Sequence, residues 1–144
     1  MSVSSSNFGF DSPSYVVRRF DQAPSVPCPC GTSTRLLTIA DTNLANFHIT
    51  FIQDSVKHYH KESSEIYYIL EGSGELELGD DSIHVEPGVM ILIPPFLPHR
   101  LKSAEGVKTI VIGFPALRPD DEYLENGEPA LAAHAMPAPA SVYP

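Results

Sequence analysis

Short runs of β-branched and aromatic residues alternate with turn residues through the middle of the chain. Some runs, such as GELELG, alternate polar and apolar positions, which is typical of strands with one buried face. Gly, Pro, Asp and Ser separate the runs, and no segment between them has the period of a long helix. The pattern predicts an antiparallel sandwich or barrel. Its eight strands are predicted at residues 34–40, 46–53, 65–70, 74–79, 82–86, 89–93, 98–102 and 107–114.

The two ends of the chain lack this alternation. Residues 1–30 are rich in Ser and Pro and are predicted to form an N-terminal arm, extended or partly disordered, that pairs as an extra strand with its own chain or a partner. Residues 31–118 are then the β-barrel domain. Residues 119–144 are predicted to combine a short helix with a Pro- and Ala-rich tail.

The short C-terminal helix is predicted near residues 119–125. Pro119 followed by three acidic residues is typical of a helix start. Acidic side chains stabilise the first turn of a helix because its unpaired N–H groups carry a partial positive charge.

Composition narrows the classes of partner and location. The chain has 144 residues and a net charge of -9, with nine basic against 18 acidic residues, which argues against nucleic acid or an anionic membrane as a partner. No apolar run approaches the roughly 20 residues of a membrane span. The N-terminal sequence lacks a basic start followed by an apolar block, so no secretory signal is predicted and a cytoplasmic location is expected.

The two cysteines, Cys28 and Cys30, are separated by one residue. A disulfide across so small a loop is expected to be strained, and two cysteines do not make a disulfide scaffold. Free thiols in a reducing compartment are therefore expected, with a redox role or an accessory metal role as the alternative.

Two histidines and a glutamate stand close together between two predicted strands. His58 and His60 are two residues apart, so on an extended segment their side chains point to the same face. Glu65 opens the next strand, and a turn over residues 61–64 returns it beside the histidines. The same alternation places Tyr67 on the face of Glu65, as a residue that lines the pocket.

His99 supplies a fourth candidate group, after a strand and a Pro-rich bend. Imidazole and carboxylate ligands suit one divalent transition metal, whether Fe, Mn, Ni, Co, Cu or Zn, and leave positions open for substrate, water or O₂. A histidine in a strand is more often a surface or core residue, and His48, His84 and His134 are interpreted in that way. Spacing alone leaves both interpretations of the cluster open.

The same residues resemble the two sequence motifs of the cupin superfamily. The first motif, G-x5-H-x-H-x3-4-E-x6-G, has its counterpart at Ile52, His58, His60, Glu65 and Gly72. The second motif, G-x5-P-x-G-x2-H-x3-N, has its counterpart at Gly88, Pro94, Phe96, His99 and Ser103. The match covers about residues 46–114, which is most of the predicted strand region.

The resemblance implies an all-β, antiparallel double-stranded β-helix, or jelly-roll barrel, with the metal in its mouth and a homodimeric assembly. Three positions depart from the motifs: Ile52 and Phe96 replace glycines, and Ser103 replaces an asparagine. None of the three is a ligand position. Phe96 is expected either to redirect its loop and narrow the barrel mouth, or to pack on a neighbouring strand or subunit.

Cupins carry out many reactions, so the resemblance does not choose one. A small-molecule dioxygenase is the first hypothesis, with Glu65 as a ligand that also takes a proton from the substrate and Tyr67 as a residue that orients it. The alternatives are a metal-dependent isomerase or lyase on a sugar-like or acid substrate, and a small-ligand-binding protein without turnover. The basic residues near the cluster form no phosphate site, and Arg100 is predicted to point outward.

Overall fold

The structure is a computed structural model, and it describes residues 14–28 and 31–130. Strands dominate these residues, with a single 3-10 turn at Phe20–Gln22. None of the helices in these ranges is long and apolar enough to span a membrane. The strands are β1 Ser25–Cys28, β2 Gly31–Leu37, β3 Asn46–Asp54, β4 His58–Tyr59, β5 Ser64–Glu71, β6 Gly74–Leu78, β7 Asp81–Val85, β8 Met90–Ile93, β9 His99–Phe114 and β10 Tyr123–Leu124.

The strands form one curled antiparallel sheet with β9 at its centre. The first part of β9 pairs with β4 and β6, and the second part pairs with β3 and β5. The two strands predicted at 98–102 and 107–114 are therefore one strand. Gly106, with a φ of 100°, lies between the two parts and has the left-handed backbone that glycine adopts without strain. The predicted all-β antiparallel barrel is confirmed.

The predicted helix near residues 119–125 is wrong. Pro119 and Asp120 form a turn, and Tyr123 and Leu124 form β10, which pairs with β4. Local helix-start signals are weak compared with tertiary contacts in so short a segment. Here the segment pairs with β4 instead.

The N-terminal segment lies on the barrel from residue 14 onward. β1 pairs with β2 of the same chain in an antiparallel hairpin. The Arg18 guanidinium donates to both carboxylate oxygens of Asp41, at 2.7 and 2.9 Å, and to the Leu36 carbonyl at 2.7 Å. The predicted extra strand therefore forms within one chain, while residues 1–13 lie outside the described residues.

Cys28, at the end of β1, is disulfide-bonded, so the expected free thiol is wrong for this residue. It lies opposite Gly31 in the pairing of β1 with β2. Cys30 lies outside the described residues. The expectation rested on the small size of the loop and on the low number of cysteines.

The apolar core fills one end of the barrel interior. Its fully buried members come from β5, β6, β7, β8 and β9 and form one cluster. Alternation along each strand sends these side chains inward, as the polar-apolar pattern predicts. The members with the least exposure are Ile69, Leu76, Val85, Ile93, Leu101 and Val107.

The outer face of the sheet also carries an apolar row. Strand register places Leu92, Ile66, Ile112, Phe47 and Leu37 side by side across β8, β5, β9, β3 and β2. Leu92 is 56% exposed. Exposed apolar surface of this kind is typical of interfaces, and the homodimer expected from the resemblance stays a prediction.

Candidate metal centre

The four predicted ligands meet at the polar end of the barrel. His58 lies in β4 and pairs directly with His99, the first residue of β9. His60 follows β4, and Glu65 is the second residue of β5. One ligand atom from each residue can be chosen so that all four lie within 4.8 Å of one another. The structure therefore forms the cluster that the spacing and the resemblance predict.

Each histidine is held by a backbone carbonyl through its Nδ1 atom. A carbonyl oxygen can only accept, so Nδ1 carries a proton and Nε2 points into the cluster, where it has a lone pair whenever the imidazole is neutral. Hydrogen bonds of this kind orient histidines that ligate metals. The three bonds run from His58 to Val56 at 2.6 Å, from His60 to Asp121 at 2.6 Å and from His99 to Leu97 at 2.9 Å.

Three atoms at the centre of the cluster are buried and lack a hydrogen-bond partner among the described residues: Nε2 of His60, Oε1 of Glu65 and Nε2 of His99. The two nitrogens lie 3.3 and 2.9 Å from the carboxylate oxygen. A buried polar atom without a partner costs about 1–3 kcal/mol. A divalent cation among these atoms would satisfy all three, so the donor set fits a metal ion.

The electrostatics of the cluster also suit a cation. Burial would raise the pKa of Glu65, but His60 and His99 outweigh it and hold that pKa well below its usual range. Burial would lower the pKa of His60, but Glu65 outweighs it and raises that pKa to about 9. Burial and the neighbouring His99 lower the pKa of His58. Glu65 is thus ionised, and a metal would take the place of the proton on His60.

Asp121 organises the loop that carries the ligands, and sequence reasoning missed this role. Its carboxylate accepts the backbone N–H groups of Lys61, Glu62 and Ser63 at 2.9 to 3.3 Å, and its carbonyl accepts Nδ1 of His60. Asp121 is only 4% exposed. Asp121 was predicted to lie at the start of a helix. Instead, its contacts position His60 and the loop that leads from His60 to Glu65. No local signal could reveal a partner about sixty residues away.

Tyr67, predicted to orient a substrate, lies on the inner face of β5 beside the cluster. Its ring meets the ring of His99 edge to face, with centroids 6.1 Å apart. Burial, with smaller contributions from Glu65 and Glu122, raises the pKa of Tyr67 well above its usual value. The phenol is therefore protonated and able to donate a hydrogen bond. The catalytic roles of Tyr67 and Glu65 stay predictions.

A cavity of about 130 Å³ adjoins the cluster inside the barrel. Its wall includes His58, His60, Glu65 and Tyr67, but also residues from β2 and β3 on the opposite side. Sequence reasoning missed these, because they face the cluster only after the sheet curls. The polar members of this opposite wall are Ser33, Arg35, His48 and Thr50.

His48, interpreted from sequence as a surface or core histidine, is half-buried on that wall. It lies outside the four-residue cluster, and it pairs with Arg35 across β2 and β3. Burial and the adjacent Arg35 lower the pKa of His48 to about 4. Of the other two histidines, His84 is exposed beside Glu75, and His134 lies outside the described residues.

Phe96 keeps the backbone of the glycine that it replaces in the second motif. Its φ is 70°, in the left-handed region, which costs a non-glycine residue roughly 1–2 kcal/mol. Its N–H donates to the His60 carbonyl at 2.7 Å. Its ring stacks on Tyr59 with centroids 6.1 Å apart and remains 63% exposed. Of the two expected placements, the structure shows the second, because the Phe96 ring packs on a residue of the neighbouring strand β4.

Three basic residues that lie near the ligands in the sequence, Lys57, Arg100 and Lys102, are each paired with a carboxylate. Arg100 bonds Asp54 at 2.9 Å, as expected for an outward-pointing residue. Lys57 and Lys102 both lie near Glu77, at 3.4 and 3.7 Å. These three basic side chains are therefore engaged in ion pairs.

Residues 50–113 match a family model described as a cupin domain. An uncharacterised protein of Methanocaldococcus jannaschii is 39% identical over 71 residues, which is 47% of this chain and 57% of the relative. This chain thus matches little more than half the length of that curated relative.

Two solved structures share the fold. A protein from Planctomyces limnophilus has a TM-score of 0.69 and 29% identity, covering 75% of this chain and 95% of the other. Ectoine synthase from P. lautus has a TM-score of 0.66 and 20% identity, covering 76% and 88%. The likeness to ectoine synthase concerns the fold alone.

Proposed function

We propose that the protein, whose residues 50–113 match the cupin domain model, binds one divalent transition metal and uses it to act on a small molecule. His58, His60, Glu65 and His99 would be the ligands. The observation that carries the proposal is the set of three imidazoles, each held through Nδ1 with Nε2 left to bind a cation.

We propose a dioxygenase as the leading reaction. Three imidazoles and one carboxylate suit redox-capable ions such as Fe or Mn, and such an ion supplies electron transfer to O₂ when it is bound. The chain itself contributes a small cavity beside the ligands, and the protonated phenol of Tyr67 as a hydrogen-bond donor for the substrate. In this proposal Glu65 acts first as a ligand, because its low pKa makes it a weak proton acceptor.

A metal-dependent lyase or isomerase is the second candidate. The observation that favours it is the protonated Tyr67, which lies against His99 and whose hydroxyl could donate a hydrogen bond to the charge that develops on a leaving group. Here the metal would supply Lewis-acid polarisation and no change of oxidation state. The two candidates differ in their need for O₂.

Replacement of His60 by Ala tests the ligand assignment. We expect most of the metal to be lost, as measured by elemental analysis, and the melting temperature of the metal-loaded protein to fall toward that of the metal-free protein. The matched control is His84→Ala, which removes an exposed histidine outside the cluster. Full metal content in His60→Ala would refute the assignment.

An oxygen electrode then separates the two reactions. Tightly bound Fe or Mn with O₂ uptake on a panel of diketones and catechols would support the dioxygenase. Stoichiometric Zn without O₂ uptake would refute it and leave the lyase or isomerase.

A further inference from the structure

We propose that Tyr59 is a positioning residue of the metal centre, because its ring joins the segments that carry or hold the ligands. This inference rests on the proposed metal function and concerns how this chain keeps its ligands in place. Its basis is an aromatic stack formed by Tyr59, Phe96 and Tyr123. Tyr59 occupies the unspecified position between the two histidines of the first motif, so the motif gives it no role.

The aromatic stack lies on the face of β4 opposite to the ligands. Tyr59 stands between His58 and His60 in the chain, so alternation sends its ring away from the two imidazoles. The Tyr59 ring stacks on the Phe96 ring, with centroids 6.1 Å apart, and on the Tyr123 ring, with centroids 5.6 Å apart. Both pairs are close to parallel, with interplanar angles of 28° and 25°. The stack therefore acts on the ligands from behind β4.

Each ring partner of Tyr59 belongs to a segment that holds His60. Phe96 lies in the loop that leads into β9, and its N–H donates to the His60 carbonyl at 2.7 Å. Tyr123 pairs with Tyr59 across β10 and β4. It lies two residues after Asp121, whose carbonyl accepts a hydrogen bond from Nδ1 of His60. The ring contacts thus fix both of these segments relative to β4.

Strand β4 depends on such contacts because it is very short. It consists of His58 and Tyr59, and its pairing with β9 is limited to His58 opposite His99. So short a strand forms few ladder hydrogen bonds, and side-chain contacts between neighbouring strands add to the stability of the pairing. The ring of Tyr59 therefore keeps β4 in the place where its imidazoles face the other ligands.

The backbone of Phe96 supports the same role for the stack. Its φ of 70° is unfavourable for most residues other than glycine. Its ring is 63% exposed, so burial offsets little of that strain. Contact with the Tyr59 ring is what an aromatic side chain adds at this position, and a strained backbone beside a site indicates a functional constraint.

Co(II) binding to the full chain under nitrogen tests the inference, with Tyr59→Leu and Tyr59→Phe as paired variants. Tyr59→Leu removes the ring but keeps an apolar side chain. We expect its Co(II) affinity, measured by competition with a chelator, to fall by about tenfold. The visible absorption of bound Co(II), which reports the coordination geometry, should also change. Tyr59→Phe keeps the ring and should match the wild type in both measurements.

Phe96→Gly is the second variant, because it removes the partner ring and also relieves the backbone strain. The melting temperature of the metal-free protein should therefore stay close to that of the wild type while Co(II) affinity falls. A general loss of stability would not produce this combination. The matched control is Phe20→Ala, at a 44% exposed aromatic residue of the N-terminal segment, which should leave Co(II) affinity unchanged.

Wild-type Co(II) affinity in folded Tyr59→Leu or folded Phe96→Gly would overturn the inference, and so would equal losses in Tyr59→Leu and Tyr59→Phe. If the wild type binds no Co(II), the proposed metal function fails instead, and hydrogen exchange of the metal-free protein tests the stack. The measured group is the N–H of Lys61, which donates to Asp121 at 2.9 Å. Lower protection in Tyr59→Leu than in Tyr59→Phe supports the inference, and equal protection overturns it.

Discussion

Strand β5 connects two contrasting ends of the barrel interior along a single face. Glu65, near its start, lies among His60 and His99, while Ile69, four positions later, packs in the apolar core. Both side chains are almost fully buried, at 3% and 1% exposure. Burial is therefore the same at the two ends, and only the chemistry of the neighbours differs.

This difference indicates that the apolar end stabilises the fold, whereas the metal-centre end serves binding. At the apolar end, buried apolar side chains pack against one another, so burial stabilises the fold. At the metal-centre end, three buried polar atoms lack hydrogen-bond partners among the described residues, and this weakens the fold unless a cation binds. The two ends should then respond separately to substitution.

Leu76→Ala should have the largest effect on the free energy of unfolding. Leu76 is fully buried in the apolar core, and a Leu→Ala change at such a site costs about 2–5 kcal/mol. Urea unfolding of the metal-free protein measures the loss. Leu92→Ala on the outer face, where Leu92 is 56% exposed, is the matched control and should cost less than about 1 kcal/mol.

Leu76→Ala also tests whether the apolar end and the metal-centre end respond independently to substitution. Metal stoichiometry in folded Leu76→Ala should equal that of the wild type. A loss of metal in the folded protein would mean that the core sets the ligand geometry, and the comparison of the two ends would be wrong.

Asp121→Asn should act at the metal-centre end. The amide cannot accept three N–H groups as the carboxylate does, so the loop of residues 61–63 loosens. We expect metal affinity to fall by about 10–100-fold and stability by about 1–3 kcal/mol. Competition with a chelator and urea unfolding measure the two effects.

Asp120→Asn is the control for this change, because Asp120 is exposed and its carboxylate pairs with the side chain of Arg118. Unchanged metal affinity in Asp121→Asn, with the loop still folded, would exclude a positioning role for Asp121.

His48→Gln should have the smallest effect and one that depends on pH. The pKa of His48 in the fold is about 4, below its ordinary value of 6.5, so the neutral form stabilises the fold above pH 6.5 and that contribution is lost as the pH falls toward 4. The variant should therefore lose less stability than the wild type over this interval, with a difference on the order of 1–3 kcal/mol.

Unfolding of the metal-free protein at a series of pH values measures this difference. His84→Gln, at an exposed histidine, should keep the slope of the wild type. Equal slopes for His48→Gln and the wild type would mean that His48 is solvated and does not belong to the cavity wall.

Local patterns predicted most of the strands and brought His58, His60 and Glu65 together, because these depend on short spacings, whereas the family resemblance was needed to join His99 to them. Alternation with a period of two identifies the inner face of β5, and the His58–His60 spacing keeps two imidazoles on one side. The helix near residues 119–125 was wrong for the same reason: helix-start residues such as Pro119 act locally, whereas pairing of Tyr123 with Tyr59 acts across the fold.

The sequence by itself determined the all-β architecture, the four candidate ligands and the resemblance that joins them. Only the tertiary structure revealed Asp121 beneath the ligand loop, the disulfide-bonded state of Cys28 and the wall formed by Arg35 and His48. These residues belong to segments far from the ligands in the chain. They reach the site because the antiparallel sheet curls, and the register of a curled sheet depends on all its strands together.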